Sequence, residues 1–316
     1  MAKTNVHRCV RGGKGDRGME AKVILNPYSN RWRAEKRWPQ AEALLQEAGV
    51  DFSLDVSQYH GHAVELAREA ALAGHSPIIA AGGDGTIGEV VNGIAQARGE
   101  NSLGVLGIMP LGTANDLVCN LGLPLDLAEA SAVIAAGKTR TLDVCKAGER
   151  YFVNNSAMGL EPYITVIQQE IKLLKGIPRY LMAAIKGIIR NPAWQAKVQW
   201  DDGSYEGPLT LISVGNAPRT GGLFFMAPAA DPADGKLTFV LAYKKSSMKL
   251  LALLPKTMTP EGKFVNASGV QQIHSTHISV ELDQPSPAHS DGELFPERVT
   301  KLEYSILPGI IQVLSV

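Results

Sequence analysis

A glycine-rich turn, Gly82-Gly83-Asp84-Gly85-Thr86, stands between an apolar run, Pro77-Ile78-Ile79-Ala80-Ala81, and a helical pattern with Ile87, Val90, Val91 and Ile94 on one face. Strand, glycine turn and helix in that order make a seat for a phosphate. Glycines let the main chain take positive φ and let a ligand approach it closely. The helix start adds free N–H groups and the positive end of the dipole. Asp84 adds a carboxylate able to act through a metal ion or on a hydroxyl. A plain tight turn is the alternative for the pentapeptide alone. A second loop weighs against it. Pro110-Leu111-Gly112-Thr113-Ala114-Asn115-Asp116-Leu117 also follows an apolar strand and opens a helical pattern. Thr113 carries a hydroxyl for a phosphate or base edge, Asn115 suits a helix cap, and Asp116 could pair with Asp84 near bound magnesium.

Such loops need a sheet that carries them to one edge. Strands are expected at Lys22–Asn26, Phe52–Val56, Ile78–Ala81 and Leu103–Met109, with helices over Trp38–Ala48, Pro39 in its first turn, and over His62–Ala73. This βαβαβ order predicts a Rossmann-like, nucleotide-binding α/β domain over 19–143, a parallel sheet with helices on both faces. Ligands then bind at the carboxyl ends of the strands. Beyond Asp143 the pattern changes. A hairpin, Val144–Ala147 and Tyr151–Asn155, is followed by a helical stretch, Pro162–Ile189, and then by short alternating strands at Ala196–Trp200, Leu209–Val214, Leu237–Ala242, His277–Leu282 and Lys301–Leu307. Residues 144–316 therefore read as a mainly β domain, a sandwich or a barrel, whose last segment can pack back on the first.

Composition sets limits. The 316 residues balance 31 basic against 31 acidic side chains, which gives no broad electrostatic case for nucleic acid. Cys9, Cys119 and Cys145 show neither metal nor disulfide spacing, which suits a reducing compartment. No apolar h-region precedes a cleavage site and no run reaches about 18 apolar residues, so a cytoplasmic protein is expected. Residues 1–18, with Arg8, Arg11, Lys14 and Arg17, read as a disordered basic tail, and Met19 leads directly into the first strand. No Gly-Lys-Ser/Thr loop is present. Arg31, Arg33, Lys36 and Arg37 follow the first strand and read either as a nucleotide-facing group or as a solvated helix face.

The paired loops resemble the diacylglycerol kinase catalytic domain, and more closely the bacterial soluble lipid kinases related to sphingosine and ceramide kinases. The resemblance runs through nearly all of residues 20–316. It includes Asn26-Pro27, Gly61-His62-Ala63, Asn154-Asn155-Ser156-Ala157-Met158-Gly159, the segment from Ala230 to Leu237, and Asp291-Gly292-Glu293. It implies an ATP- and Mg2+-dependent kinase that phosphorylates a lipid hydroxyl, with diacylglycerol giving phosphatidic acid. On that resemblance Asn26, Gly82, Gly83, Asp84, Gly85, Thr86, Gly112 and Thr113 belong to the ATP site. Ser57 stands where the family usually has a threonine, and Asn30 replaces the usual glycine of the first loop. Glu293 matches the catalytic base, supported by Asp291 and, across the site, by Asp84. Asp84, Asp116 and Asp143 match an acidic network that links the domains through magnesium. Asp234 matches the ligand of a structural magnesium, completed by the carbonyls of Asp231 and Lys236. Each also has a plainer reading: Glu293 and Asp234 as turn residues, Asp143 as a polar strand end.

A lipid kinase works at a membrane surface, so transient peripheral binding is expected; a homodimer is compatible with the chain. Ile171, Leu173, Leu174, Ile177, Leu181, Met182, Ile185, Ile188 and Ile189, among Lys172, Lys175, Arg179, Lys186 and Arg190, read equally as an interfacial helix pair or as a core helix with snorkelling cations. Gly221 to Met226 is a second candidate apolar lip. The rival readings are an NAD kinase, which shares the Gly-Gly-Asp-Gly-Thr loop, and a noncatalytic lipid- or nucleotide-binding protein.

Overall fold

The computed structural model describes residues 20–171, 173–174, 177–243 and 246–316. The basic tail, Cys9, Met19, Lys172 and Lys175 lie outside the described residues. The chain forms two compact units: residues up to Leu142 with Gly309–Val316, and Asp143–Pro308.

The first unit alternates strand and helix. Its elements are β1 (Ala21–Leu25), α1 (Ser29–Glu47), β2 (Phe52–Val56), α2 (His62–Leu72), β3 (Ile78–Gly82), α3 (Asp84–Arg98), β4 (Gly104–Pro110), α4 (Asp116–Asn120) and α5 (Leu127–Ala136). The strands are parallel in the order β2-β1-β3-β4, and the chain's final strand closes the row, Ile311 beside Gly104. That order reverses direction between β1 and β3. The loops leaving those two strands diverge and open a crevice at the carboxyl edge. Alternation sorts β1 between two layers: Ala21, Val23 and Leu25 join Trp38, Leu45 and Ile134 in one core, while α2 and α3 pack on each other. Asp126 starts α5 by accepting from the backbone N–H of Ala128 and Glu129, and Gly137 ends it in the left-handed region.

Helix α1 begins nine residues before the expected Trp38 and makes Pro39 an interior residue. The expectation missed the start because only Ala34 is buried ahead of Trp38, so the basic run carries no apolar period. Asn30, Arg31 and Trp32 break its first turn with φ of 52°, 56° and 69°, a conformation that is costly for a bulky side chain.

The second unit begins with β5 (Thr139–Ala147), shared with the first, and β6 (Arg150–Phe152), which form the expected hairpin with Ala147 opposite Arg150. Then follow β7 (Asn155–Gly159), α6 (Leu160–Glu170), α7 (Ile177–Arg190), β8 (Trp194–Trp200), β9 (Gly203–Leu209), β10 (Leu211–Gly215), β11 (Arg219–Thr220) and β12 (Phe224–Phe225). The unit closes with β13 (Leu237–Ala242), α8 (Ser247–Leu253), β14 (Val270–Ser275), β15 (His277–Ser286), β16 (Ala288–Ser290), β17 (Glu293–Leu294) and β18 (Val299–Leu314). One antiparallel sheet runs β14-β13-β10-β7-β16-β17; in the other, β15 lies between β8 and β18. Phe152, Met158, Val198, Phe239, Val280 and Tyr304 fill the space between them, which makes a β-sandwich. Strands β7, β10 and β13 are buried along their whole length, because α6, α7 and α8 cover their outer face through Leu160, Ile164, Ala184, Ile188 and Leu250. The helical stretch expected over Pro162–Ile189 is thus two helices.

Helices α2 and α3 meet at Gly93, where an added Cβ would lie 2.2 Å from the Val64 carbonyl oxygen and 2.7 Å from the Ala67 Cβ. Gly93→Ala is expected to destabilise the protein by about 1–3 kcal/mol, as overpacking does. The check is the urea midpoint; an unchanged midpoint refutes the close approach.

Candidate active site

Two loops of the first unit interlock at the carboxyl ends of β3 and β4. A Cβ on Gly112 would stand 2.4 Å from the Gly83 Cα, and one on Gly82 would stand 2.3 Å from Thr86 Oγ1. Only glycine permits that approach. The Leu111 N–H donates to the Gly82 carbonyl at 2.9 Å. Asp84 joins the loops from its side chain, with Oδ1 accepting from the Leu117 N–H at 3.0 Å. A carboxylate there meets both the free N–H groups and the positive dipole end of α4.

Asn115 does not cap α4 as expected. It sits at the N-cap position with φ 48° and makes no side-chain cap bond; its Nδ2 donates instead to the Gly112 carbonyl at 3.4 Å. Capping needs extended backbone, and the left-handed turn points this side chain elsewhere. Asp116, next along, is 3% exposed.

The first loop joins the other two. Asn26 Nδ2 donates to Thr86 Oγ1 at 3.1 Å, and Ser29 Oγ lies 3.1 Å from the same hydroxyl. Thr113 Oγ1 donates to Asn30 Oδ1 at 3.0 Å, so asparagine in the place of glycine ties the first loop to the third. Of the basic run, Arg37 reaches the strand ends, donating to the Pro110 carbonyl at 3.4 Å. Ser57 directly follows β2, is 2% exposed, and its hydroxyl has no hydrogen-bond partner among the described residues. The sequence reading passed over Glu89. Its carboxylate accepts from the N–H groups of Gly61 and Ala63 and holds the start of α2. Its place one turn beyond Thr86 was the available signal.

In the second unit Asp291 has φ 47°. Its Oδ1 accepts from the N–H groups of Asn154 and Asn155 at 2.9 and 3.1 Å, and its Oδ2 from Val153 at 3.0 Å. With its oxygens committed to backbone, Asp291 braces the entry to β7 two residues before Glu293. Glu293 is half-buried at the head of β17, where Arg150 donates to its carbonyl at 3.4 Å and lies over the Phe295 ring.

Asp143 is brought onto the 231–236 loop. Its N–H donates to the Pro232 carbonyl at 2.8 Å and its Oδ2 accepts from the Gly235 N–H at 2.7 Å. Within the loop Asp231 Oδ1 accepts from Ala233 N–H and Asp234 Oδ1 from Lys236 N–H. Asp84 and Asp116 belong to the other unit. The groups that would hold an ion on this exposed loop are all oxygens: the second carboxylate oxygen of Asp234 and the carbonyls of Asp231 and Lys236. They fit a hard cation that keeps several waters, as magnesium does. Among the described residues no cluster of three His, Cys, Asp or Glu side chains could hold a metal. Burial, and then the Asp143 charge, push the Cys145 thiol well above its ordinary pKa, so it carries no thiolate chemistry.

Helix α7 divides its apolar residues. Ala183, Ala184 and Ile188 are buried, while Met182, Ile185 and Ile189 are exposed. Behind it lies an apolar cavity of about 80 Å³ lined in part by Tyr180, Ile188, Phe224 and Met226. The sequence reading also missed a buried pair at this place, Glu161 and His289, with Nε2 3.3 Å from Oε1. Its partners sit on α6 and β16, so no local pattern marks it.

Residues 20–147 match the family model of the diacylglycerol kinase catalytic domain, and residues 155–315 match that of the YegS C-terminal NAD kinase beta sandwich-like domain. The chain belongs to the diacylglycerol kinase family of lipid kinases. A YegS-like lipid kinase of Chromohalobacter salexigens is 34% identical over 276 residues, 86% of either chain. A diacylglycerol kinase of Bacillus subtilis is 28% identical over 275 residues, 86% of this chain and 89% of that one. The crystal structure of a diacylglycerol kinase from Bacillus anthracis aligns over 94% of this chain and 97% of that chain with a TM-score of 0.76. At 23% identity that likeness speaks for the fold, an α/β unit with a parallel sheet followed by a β-sandwich. A kinase of this family is a phosphotransferase, and no described helix is long and apolar enough to cross a membrane.

Asp291→Asn replaces one acceptor oxygen of a buried clamp with an N–H donor that faces another donor. A loss of about 1–3 kcal/mol is expected. Chemical denaturation checks it; wild-type stability would show that the clamp is dispensable.

Proposed function

We propose that this chain is an ATP- and magnesium-dependent kinase that transfers the γ-phosphoryl group to the hydroxyl of a membrane lipid, diacylglycerol being the acceptor to test first. The observation that carries the reading is the interlock of the two glycine loops, with Asp84 holding the start of α4. Main chain without side chains is thereby presented at the strand ends, where polyphosphate can lie against N–H groups. Gly82 to Thr86, Gly112 and Thr113 bind the nucleotide, with Asn26 and Ser57 beside them. The lipid oxygen forms a bond to the γ-phosphorus, the bond from that phosphorus to the leaving ADP oxygen breaks, and Glu293 takes the hydroxyl proton. Such a transfer is chiefly a matter of position and charge. Magnesium, when bound, offsets phosphate charge; Asp84, Asp116 and Asp143 are its nearby acids in this reading, and Asp234 holds a separate structural ion. The exposed face of α7, with Met182, Ile185 and Ile189 among Arg179, Lys186 and Arg190, meets an anionic membrane surface from the cytoplasm.

The test is an assay with labelled ATP, magnesium and a lipid panel in mixed micelles. Glu293→Gln is expected to lower turnover about 10²–10⁴-fold, the usual worth of a positioned base, with an unchanged melting temperature. Near-normal turnover removes Glu293 from the chemistry; phosphorylated NAD without a lipid product moves the reading to an NAD kinase. For the structural ion, magnesium is expected to raise the melting temperature of the wild type and to leave Asp234→Ala where it was. An equal rise in both proteins rules out Asp234 as its ligand.

A further inference from the structure

The cavity walled by α6, α7, α8 and β10 is lined mainly by apolar side chains, with a single ionisable carboxyl among them. Leu160, Ile164, Ile188, Leu211 and Phe224 line it, and so does Glu161. Glu161 is 6% exposed and lies in the first turn of α6. Its Oε1 is engaged: Asn155 Nδ2 donates to it at 2.9 Å, and His289 Nε2 stands 3.3 Å away. Its Oε2 is buried and has no hydrogen-bond partner. Packing alone does not call for a carboxylate here, and an unmet buried acceptor is costly. Two of the neighbours are already committed elsewhere. Thr220 Oγ1 donates to Asn155 Oδ1 at 2.9 Å, which fixes the amide with its N–H side toward Glu161. Thr257, on the cavity wall, already donates to the Leu254 carbonyl.

The same asparagine reaches the proposed reaction centre. Its backbone N–H donates to Asp291 Oδ1 at 3.1 Å, two residues before Glu293. The polar end of the cavity is therefore joined through one residue to the strand that carries the base.

We infer that Glu161 Oε2 receives a hydrogen bond from the acceptor lipid. The cavity then selects lipids that carry a second donor, a hydroxyl, amide N–H or amine, beside the hydroxyl to be phosphorylated. A segment of hydrocarbon chain fills the apolar wall and the second donor meets the carboxylate. Diacylglycerol has one O–H and leaves Glu161 unmet once that group is at Glu293; a monoacylglycerol, a ceramide or a sphingoid base does not. This inference rests on the lipid-kinase reading and narrows its acceptor.

Two experiments test it. The first compares kcat/KM for dioleoylglycerol, monooleoylglycerol and a short-chain ceramide in identical micelles. The wild type is expected to favour the better two-donor lipid over dioleoylglycerol by about tenfold or more, the scale of a hydrogen bond to a charged group. Glu161→Leu is expected to bring that ratio close to one, and an unchanged ratio overturns the inference. The second needs no variant and no turnover. Calorimetry on the wild-type protein compares N-methyloctanamide, which has an N–H, with methyl octanoate, which has none. Tighter binding of the amide by about tenfold is expected; equal affinities, or no binding of either, overturn it. If no lipid is phosphorylated while the amide is still preferred, the kinase reading fails and the cavity assignment stands.

Discussion

The close approach of Gly83 and Gly112 is the constraint on which the first unit depends. Two strand-to-helix turns from neighbouring parallel strands are pressed together until Gly112 has no room for a Cβ and one on Gly83 would stand only 3.1 Å from the Gly112 Cα. Asp84 then closes the gap from one turn to the helix start of the other. The sheet order explains why these turns are available, since the reversal between β1 and β3 opens the crevice at this edge. The first loop completes it through Asn26 and Asn30, both on side chains of the glycine loops. The left-handed Asn30, Arg31 and Trp32 are strained backbone, and such strain persists where surroundings over-determine it.

The second unit solves a different problem. Its sheet of β7, β10 and β13 is buried on both faces, so polar groups inside it need partners. Asn216 spans two backbone carbonyls, those of Asp143 and Val153. Asp291 gathers three N–H groups at the bend between β6 and β7. Satisfied networks of this kind rigidify the strands that carry them, and Glu293 is placed by that rigidity. Glu161 departs from the rule with one oxygen unmet, and departures of this kind are where function is to be sought.

Much of the fold was legible in local pattern. The strands of the first unit lie within a residue of their expected places, because alternation and flanking glycines are short-range signals. The start of α1 was hidden by a charged run that buries only Ala34 before Trp38. The site was legible where glycines and hydroxyls crowd into two loops. It was illegible where a residue acts through a distant partner, as Glu89 does on Gly61, 28 residues away.

By itself the sequence determined the order of strand, glycine loop and helix, the change to short alternating strands after Asp143, and the residues able to handle a phosphate and a proton. Those depend on backbone freedom and on periods of two and 3.6 residues, which neighbours impose. Only the tertiary structure decided that Asp84 and not Asn115 caps α4, that Asp143 braces the 231–236 loop, and that Glu161 keeps an oxygen open. The partners that settle these points are 33 residues apart for Asp84 and Leu117, and 92 for Asp143 and Gly235. A hydrogen bond across such a span forms only when packing brings both ends together, and no local pattern records it.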